Sequence, residues 1–288
     1  MHRYIISFVQ KFSIFILFFG VLAGNSEVIA QDKPDKTELK IGIIDRAPLG
    51  FIDQDGIIKG FYIDLINEMA KKEHWEVQLF LEPIVHLLTK LKDNKLDIIF
   101  GLAYSEDRAG WVDYSSVVIM TSWCQLYSGK GNVNSLTDLG DKKTGVVESS
   151  ITNSKFVSLI NSLNIKTKVV EYPSEDAIFK AISRQEVDAG VVSSIFGYYH
   201  EKEYDINRSN IVFEPYGHYI ASNQGKNEII LQTIDLYIRQ WKANKKSVYY
   251  TSFERWINNE YSIFVIPSWI WKLIGSILAV LVIVSLIA

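Results

Sequence analysis

Residues 96–115 read LDIIFGLAYSEDRAGWVDYS, and this stretch decides how the rest of the 288-residue chain is read. From Leu96 to Phe100 the run is apolar apart from Asp97, which predicts a buried strand. Gly101 is expected to release the chain into a short loop. Ser105, followed by Glu106 and Asp107, has the pattern of a helix N-cap with acids in the first turn. Arg108 stands beside that helix start. A guanidinium placed there can hold a carboxylate through two parallel hydrogen bonds, with backbone N–H groups nearby. On chemistry alone a second reading stays open, in which Arg108 pairs with Glu106 or Asp113 on a solvated face.

The string from Asp97 to Arg108, continued by Trp111-Val112-Asp113-Tyr114-Ser115, closely resembles the signature of the family 3 extracellular solute-binding proteins. The version with Gly101-Leu102-Ala103-Tyr104 looks most like members fused to membrane histidine kinases or diguanylate cyclases. The resemblance implies an α/β, two-lobe periplasmic-binding-protein fold of type II. It implies that Arg108 grips a ligand carboxylate, with Tyr104 and Ala103 forming cleft wall.

Composition sets the outer bounds. Hydrophobic residues make up 48% of the chain, enough for a folded protein with membrane parts. A net charge of -3 gives no electrostatic reason to expect nucleic acid. Cys124 is the single cysteine, so no intramolecular disulfide and no cysteine-based zinc site can form. The histidines His2, His74, His86, His200 and His218 show no metal-ligand spacing, and no P-loop or GxSxG motif is present. Neither metal nor cofactor is expected.

Both ends are apolar. Residues 1–30 read as an export signal, with Arg3 and Lys11 ahead of or within the apolar start, Phe12–Ala23 as its core and Val28-Ile29-Ala30 as a cleavage site. From Ile263 to Ala288 the one charge is Lys272, and Trp269 and Trp271 sit where an interfacial belt belongs. At about 1.5 Å per residue the segment is long enough to cross a hydrocarbon core of roughly 30 Å. It is read as a transmembrane helix, through which a homodimer could form. An intracellular output is expected to follow Ala288.

Between these ends strands alternate with helices, which predicts a mostly parallel sheet with crossover helices and a ligand beyond the strands' carboxyl ends. The expected units are strand Leu39–Ile44, a helix from Gly60-Phe61 onward, strand Val77–Glu82, and helix Pro83–Asn94 with Val85, Leu88 and Leu91 inward. Residues 116–129 form a first crossing between lobes. Strand Lys143–Val147, a helix through Asn164, strand Val169–Tyr172, helix Ser174–Ser183 and strand Ala189–Val192 follow. Residues 214–220 return, and two helices close the domain.

Aligned on the family, Arg46 stands where an aromatic often stacks on ligand; it is either a second cation in the cleft or a solvent-exposed loop residue. Ser150 falls where a small hydroxyl caps a helix and offers N–H groups to ligand, with Ser149 at the usual glycine. As bare chemistry Ser150 is equally a plain cap. Ser193 stands where amino-acid binders place an acid for the ligand's ammonium. Its absence argues against an ordinary α-amino acid, since a buried ammonium without countercharge is costly. A ligand without an amine, a rearranged contact and a site kept only for shape all remain open. The lobes are expected at 38–119 with 218–262, and at 120–217. The expected function is a sensor that captures a small carboxylate-bearing ligand, an amino acid or related organic acid. A transport component is the first rival. A dehydratase-like enzyme is the second, with Glu148 its one placeable acid. No catalytic residue is assigned.

Overall fold

Apolar and polar residues mix along ELKIGII to give β1 (Glu38–Ile44), with Leu39, Ile41 and Ile43 buried. The computed structural model describes residues 37–131 and 133–258, and the segments read as export signal and membrane helix lie outside them. Among the described residues no helix is long and apolar enough to cross a membrane. After β1 a loop closes on itself through the Arg46 N–H to the Gly50 carbonyl (2.8 Å) and leads into a hairpin, β2 (Phe51–Ile52) and β3 (Ile58–Lys59). Helix α1 (Phe61–Glu73) lays Phe61, Leu65, Ile66 and Met69 on the core at helical spacing. It returns to β4 (Glu76–Glu82), which pairs parallel with β1 along its whole length.

Helix α2 (Ile84–Lys92) buries Ile84, Leu87 and Leu91, a face one residue away from the expected Val85 and Leu88. The cause lies in β1. Gly42 has no side chain, and an added Cβ would come within 3.0 Å of Leu87 Cδ2, so the helix settles with Leu87 in that gap. The organising stretch then forms β5 (Ile98–Ala103), parallel to β1. Gly101 does not end this strand. It lies inside it at φ 86°, where the partner strand's register skips from Tyr219 to Ile220. A Cβ at this position would stand 2.3 Å from the Tyr62 ring, so glycine is required for both backbone and space.

Helix α3 (Glu106–Ala109) is a single turn with Ser105 at its N-cap position, though the Ser105 side chain makes no cap bond. Short β6 (Val112–Tyr114) precedes β7 (Met120–Ser128), the first crossing. Next come β8 (Lys143–Val147), α4 (Ile151–Ser162), β9 (Lys168–Tyr172), α5 (Glu175–Ser183), β10 (Ala189–Ser193) and α6 (Ser194–His200). The return crossing is longer than expected, β11 (Asn207–Asn223). Helices α7 (Glu228–Ala243) and α8 (Val248–Phe253) finish the described chain, followed by a π-helical turn at Glu254–Asn258.

The principal sheet runs in the order β4-β1-β5-β11-β7-β10-β8-β9, with β6 on β11. Its two parallel groups, β4-β1-β5 and β10-β8-β9, are joined through the antiparallel crossings β7 and β11. This is an α/β fold of two lobes, whose parallel strands end at a shared cleft. Two carboxylates fix the frame. Asp235 on α7 accepts from the amides of Ser116 and Val117 and from the Ser116 hydroxyl, just before β7. Asp64 Oδ2 on α1 accepts from Ser252 Oγ (2.8 Å), Arg255 (3.0 Å) and Trp256 Nε1 (2.9 Å), which ties the closing turn to the first lobe.

Candidate ligand-binding site

The carboxyl ends of β1, β4, β5, β8 and β9 converge on one cavity of ≈300 Å³, lined among others by Arg46, Ala103, Arg108, Ser150, Glu175, Tyr216 and His218. That is where a parallel sheet exposes the loops and helix starts that bind ligands. Helices α4 and α5 both begin at its wall, capped by Ser150 on the Asn153 N–H (3.1 Å) and by Ser174 on the Ala177 N–H (3.2 Å). Their N-termini add positive potential.

Arg108 is buried, 8% exposed, at the end of the one-turn helix. It makes no ion pair with Glu106 or Asp113; the Asp113 carboxylate accepts from the Gly225 N–H instead (2.6 Å). Its guanidinium donates to the Ala103 carbonyl (3.2 Å) and, across the cleft, to the Ser149 carbonyl (2.6 Å), with Tyr114 also in hydrogen-bond contact. Burial pulls the Arg108 pKa below its ordinary value. This guanidinium, met by carbonyls and a phenol, has no ion pair among the described residues, with Asp107 acting on it only from a distance, and an incoming carboxylate would supply one.

Arg46 is not a solvent-exposed loop residue. Its side chain is largely buried, 13% exposed, and forms an ion pair with Glu175 Oε2 (3.2 Å), and its second contact to Oε1 is 3.4 Å. Glu175 opens α5 in the other lobe, so the pair spans the cleft. Glu175 Oε1 also accepts the Ser193 N–H at 2.6 Å. Tyr216 lines the same cavity beside Arg46, and burial pushes its phenol up to about 12. Burial likewise raises the Glu175 carboxyl above its ordinary value, with Arg46 and the Ser193 amide opposing.

Ser193 therefore differs from its expected role. It is fully buried, its hydroxyl engaged with Ser122 (3.0 Å), and it is not part of the cavity lining. It acts through its amide, which holds the Glu175 carboxylate at the place where the acid was missing. Tyr104 also lies outside the lining and is 49% exposed, its ring 5.3 Å from Tyr114. Ala103 and Tyr104 are neighbours in extended backbone, so when Ala103 faces the cavity Tyr104 turns away. Ser149 contributes its carbonyl rather than its side chain, from a left-handed backbone at φ 54°. Glu148 is exposed and does not line the cavity.

His218 and Tyr62 enter the site unannounced. His218 pairs in register with Ala103 on β5, stacks on Tyr216, and meets the Tyr62 hydroxyl through Nδ1 at 2.6 Å. Burial and the nearby Arg46 charge lower the imidazole to about 3, so the ring is neutral. Of the described buried side-chain atoms, Arg46 Nε, Trp123 Nε1 and His218 Nε2 have no hydrogen-bond partner, and Arg46 and His218 line the cavity.

A sequence profile of the bacterial extracellular solute-binding proteins, family 3, matches residues 39–259. The chain belongs to that family. The arginine-binding extracellular protein ArtP of Bacillus subtilis (strain 168) is 26% identical over 152 residues, 52% of this chain and 58% of that protein. A probable histidine-binding protein of Neisseria gonorrhoeae is 26% identical over 150 residues, 51% of this chain and 55% of that protein. The chain thus spans about half the length of the curated relatives it matches. An ancestral arginine-binding protein bound to arginine superposes with a TM-score of 0.67 at 26% identity, covering 77% of this chain and 98% of that one. A histidine kinase sensor domain with similarity to periplasmic binding proteins has the same fold, at a TM-score of 0.68, 18% identity and coverage of 77% and 96%.

The neutral His218 has a consequence for stability. Its folded pKa, about 3, lies below the ordinary value of 6.5, so the unfolded chain binds an extra proton between the two. Stability therefore falls as pH drops from 6.5 toward 3, by roughly 1.4 kcal/mol per pH unit from this group alone. Urea unfolding across that range should show this slope, and His218→Gln should flatten it by about that amount.

Proposed function

We propose that this chain captures a small carboxylate-bearing solute in the cleft and serves as the extracytoplasmic input of a membrane sensor. Arg108 carries the reading: a buried cation in the cavity wall, at the end of the family's signature, with no carboxylate of its own among the described residues. Ser150 and Ala103 border the same cavity. The proposed lobes are 38–119 with 218–262, and 120–217. A ligand that bridges them favours the closed arrangement by its differential affinity for it. The Asp64 cluster would then carry first-lobe motion to the closing turn at Asn258, and from there toward the apolar Ile263–Ala288 segment.

Arg108→Ala should leave the chain folded, by circular dichroism, and weaken carboxylate binding roughly 10²–10³-fold by calorimetry. That follows from about 3–5 kcal/mol for breaking a buried charged pair. A change below about threefold would remove Arg108 from the site.

The sensor role is checked separately by alkaline carbonate extraction. An input anchored by Ile263–Ala288 stays in the membrane pellet, whereas a diffusing carrier for a permease is released.

A further inference from the structure

Resting on the carboxylate-capture reading, we infer that the ligand carries a second oxygen-acceptor group and no amine: a small dicarboxylate or similar acid, recognised at its far end by Arg46 Nε–H and His218 Nε2–H. The first observation is negative toward ammonium. Two acids line the cavity, Asp45 and Glu175, and both Glu175 oxygens are already engaged by Arg46, with Oε1 also taking the Ser193 amide. Arg46 is thus a built-in cation at the place an ammonium would need. Asp45 is an exposed residue, and partial desolvation raises its carboxyl above the ordinary value.

The second observation is the pair of unpartnered donors. Among the described residues, Arg46 Nε and His218 Nε2 are buried without a hydrogen-bond partner, as is Trp123 Nε1, whose residue does not line this cavity. The proton on Nε2 follows from Tyr62. Burial raises its phenol, which stays protonated, and its hydrogen has one acceptor among the described residues, His218 Nδ1. A neutral ring that accepts at Nδ1 carries its proton on Nε2. Buried donors without acceptors are costly, and a ligand oxygen relieves that cost. With Arg108 as the third donor in the lining, the cleft can meet more than one oxygen group of a ligand small enough for ≈300 Å³.

The experiment is calorimetry on the full chain with triples of equal carbon number: malonate, succinate and glutarate, each against its monocarboxylate and its straight-chain α-amino acid. At the best-fitting length the dicarboxylate should bind at least tenfold more tightly than both. Arg46→Lys, which keeps the charge beside Glu175 but removes the Nε–H, should narrow that preference at least threefold, and so should His218→Phe. An α-amino acid as the tightest ligand would overturn this inference and leave carboxylate capture standing. Binding of no member would overturn both. A dicarboxylate preference unchanged in both folded variants would remove the two nitrogens from recognition.

Discussion

A carboxylate closed between two lobes must be met by donors, and Glu175 is met by the Arg46 guanidinium and the Ser193 amide. Almost every other feature of the cleft follows from this arrangement. Were Arg46 absent, Glu175 would be the natural countercharge for a ligand's ammonium, and the cleft would have an acid at one end and Arg108 at the other. With Arg46 present, Glu175 is paired within the protein, and Arg108 and His218 line the same cavity. The interaction also crosses from one lobe to the other, as does the bond from Arg108 to the Ser149 carbonyl. Two guanidinium contacts thus hold the lobes together before any ligand is considered.

Such a pair is a poor source of net stability, because desolvating both charges offsets most of their attraction. Its value lies in specificity of arrangement. A ligand that bridges the lobes adds contacts to a closed state already supported by Arg46–Glu175, so it need contribute only the difference between closed and open forms. The rest of the frame is tied by two further carboxylates. Asp235 clamps the entry to the first crossing, and Asp64 clamps the end of the closing helix to α1. Both carboxylates are satisfied by several donors from distant parts of the chain, which makes those junctions stiff.

Much of this was legible in the sequence because it is local. The helical spacing of Phe61, Leu65, Ile66 and Met69, the apolar run of β5 and the caps at Ser150 and Ser174 each depend on neighbours a few residues away. Arg108 was legible through a motif. What stayed hidden depends on long-range pairing. Glu175 in a helix's first turn looks like any acid that complements the dipole, and its partner Arg46 is 129 residues away. His218 and Tyr62 are separated by 156 residues, and no periodicity links them. Gly101 read as a break; it is instead the extra residue of a bulge on β5, and the space it leaves holds Tyr62. Residue type suggested cleft contact for Tyr104 and Ser193; the structure leaves Tyr104 exposed and Ser193 buried, both outside the cavity lining.

The donor-lined cleft is tested most directly by nitrogen-15 NMR of the His218 ring in the full chain, assigned with His218→Gln. Between about pH 5 and 8 the account predicts one neutral ring form, with the proton on Nε2 and a bare, hydrogen-bonded Nδ1. An imidazolium, or a neutral ring with its proton on Nδ1, would place an acceptor or a charge in the cleft and contradict it.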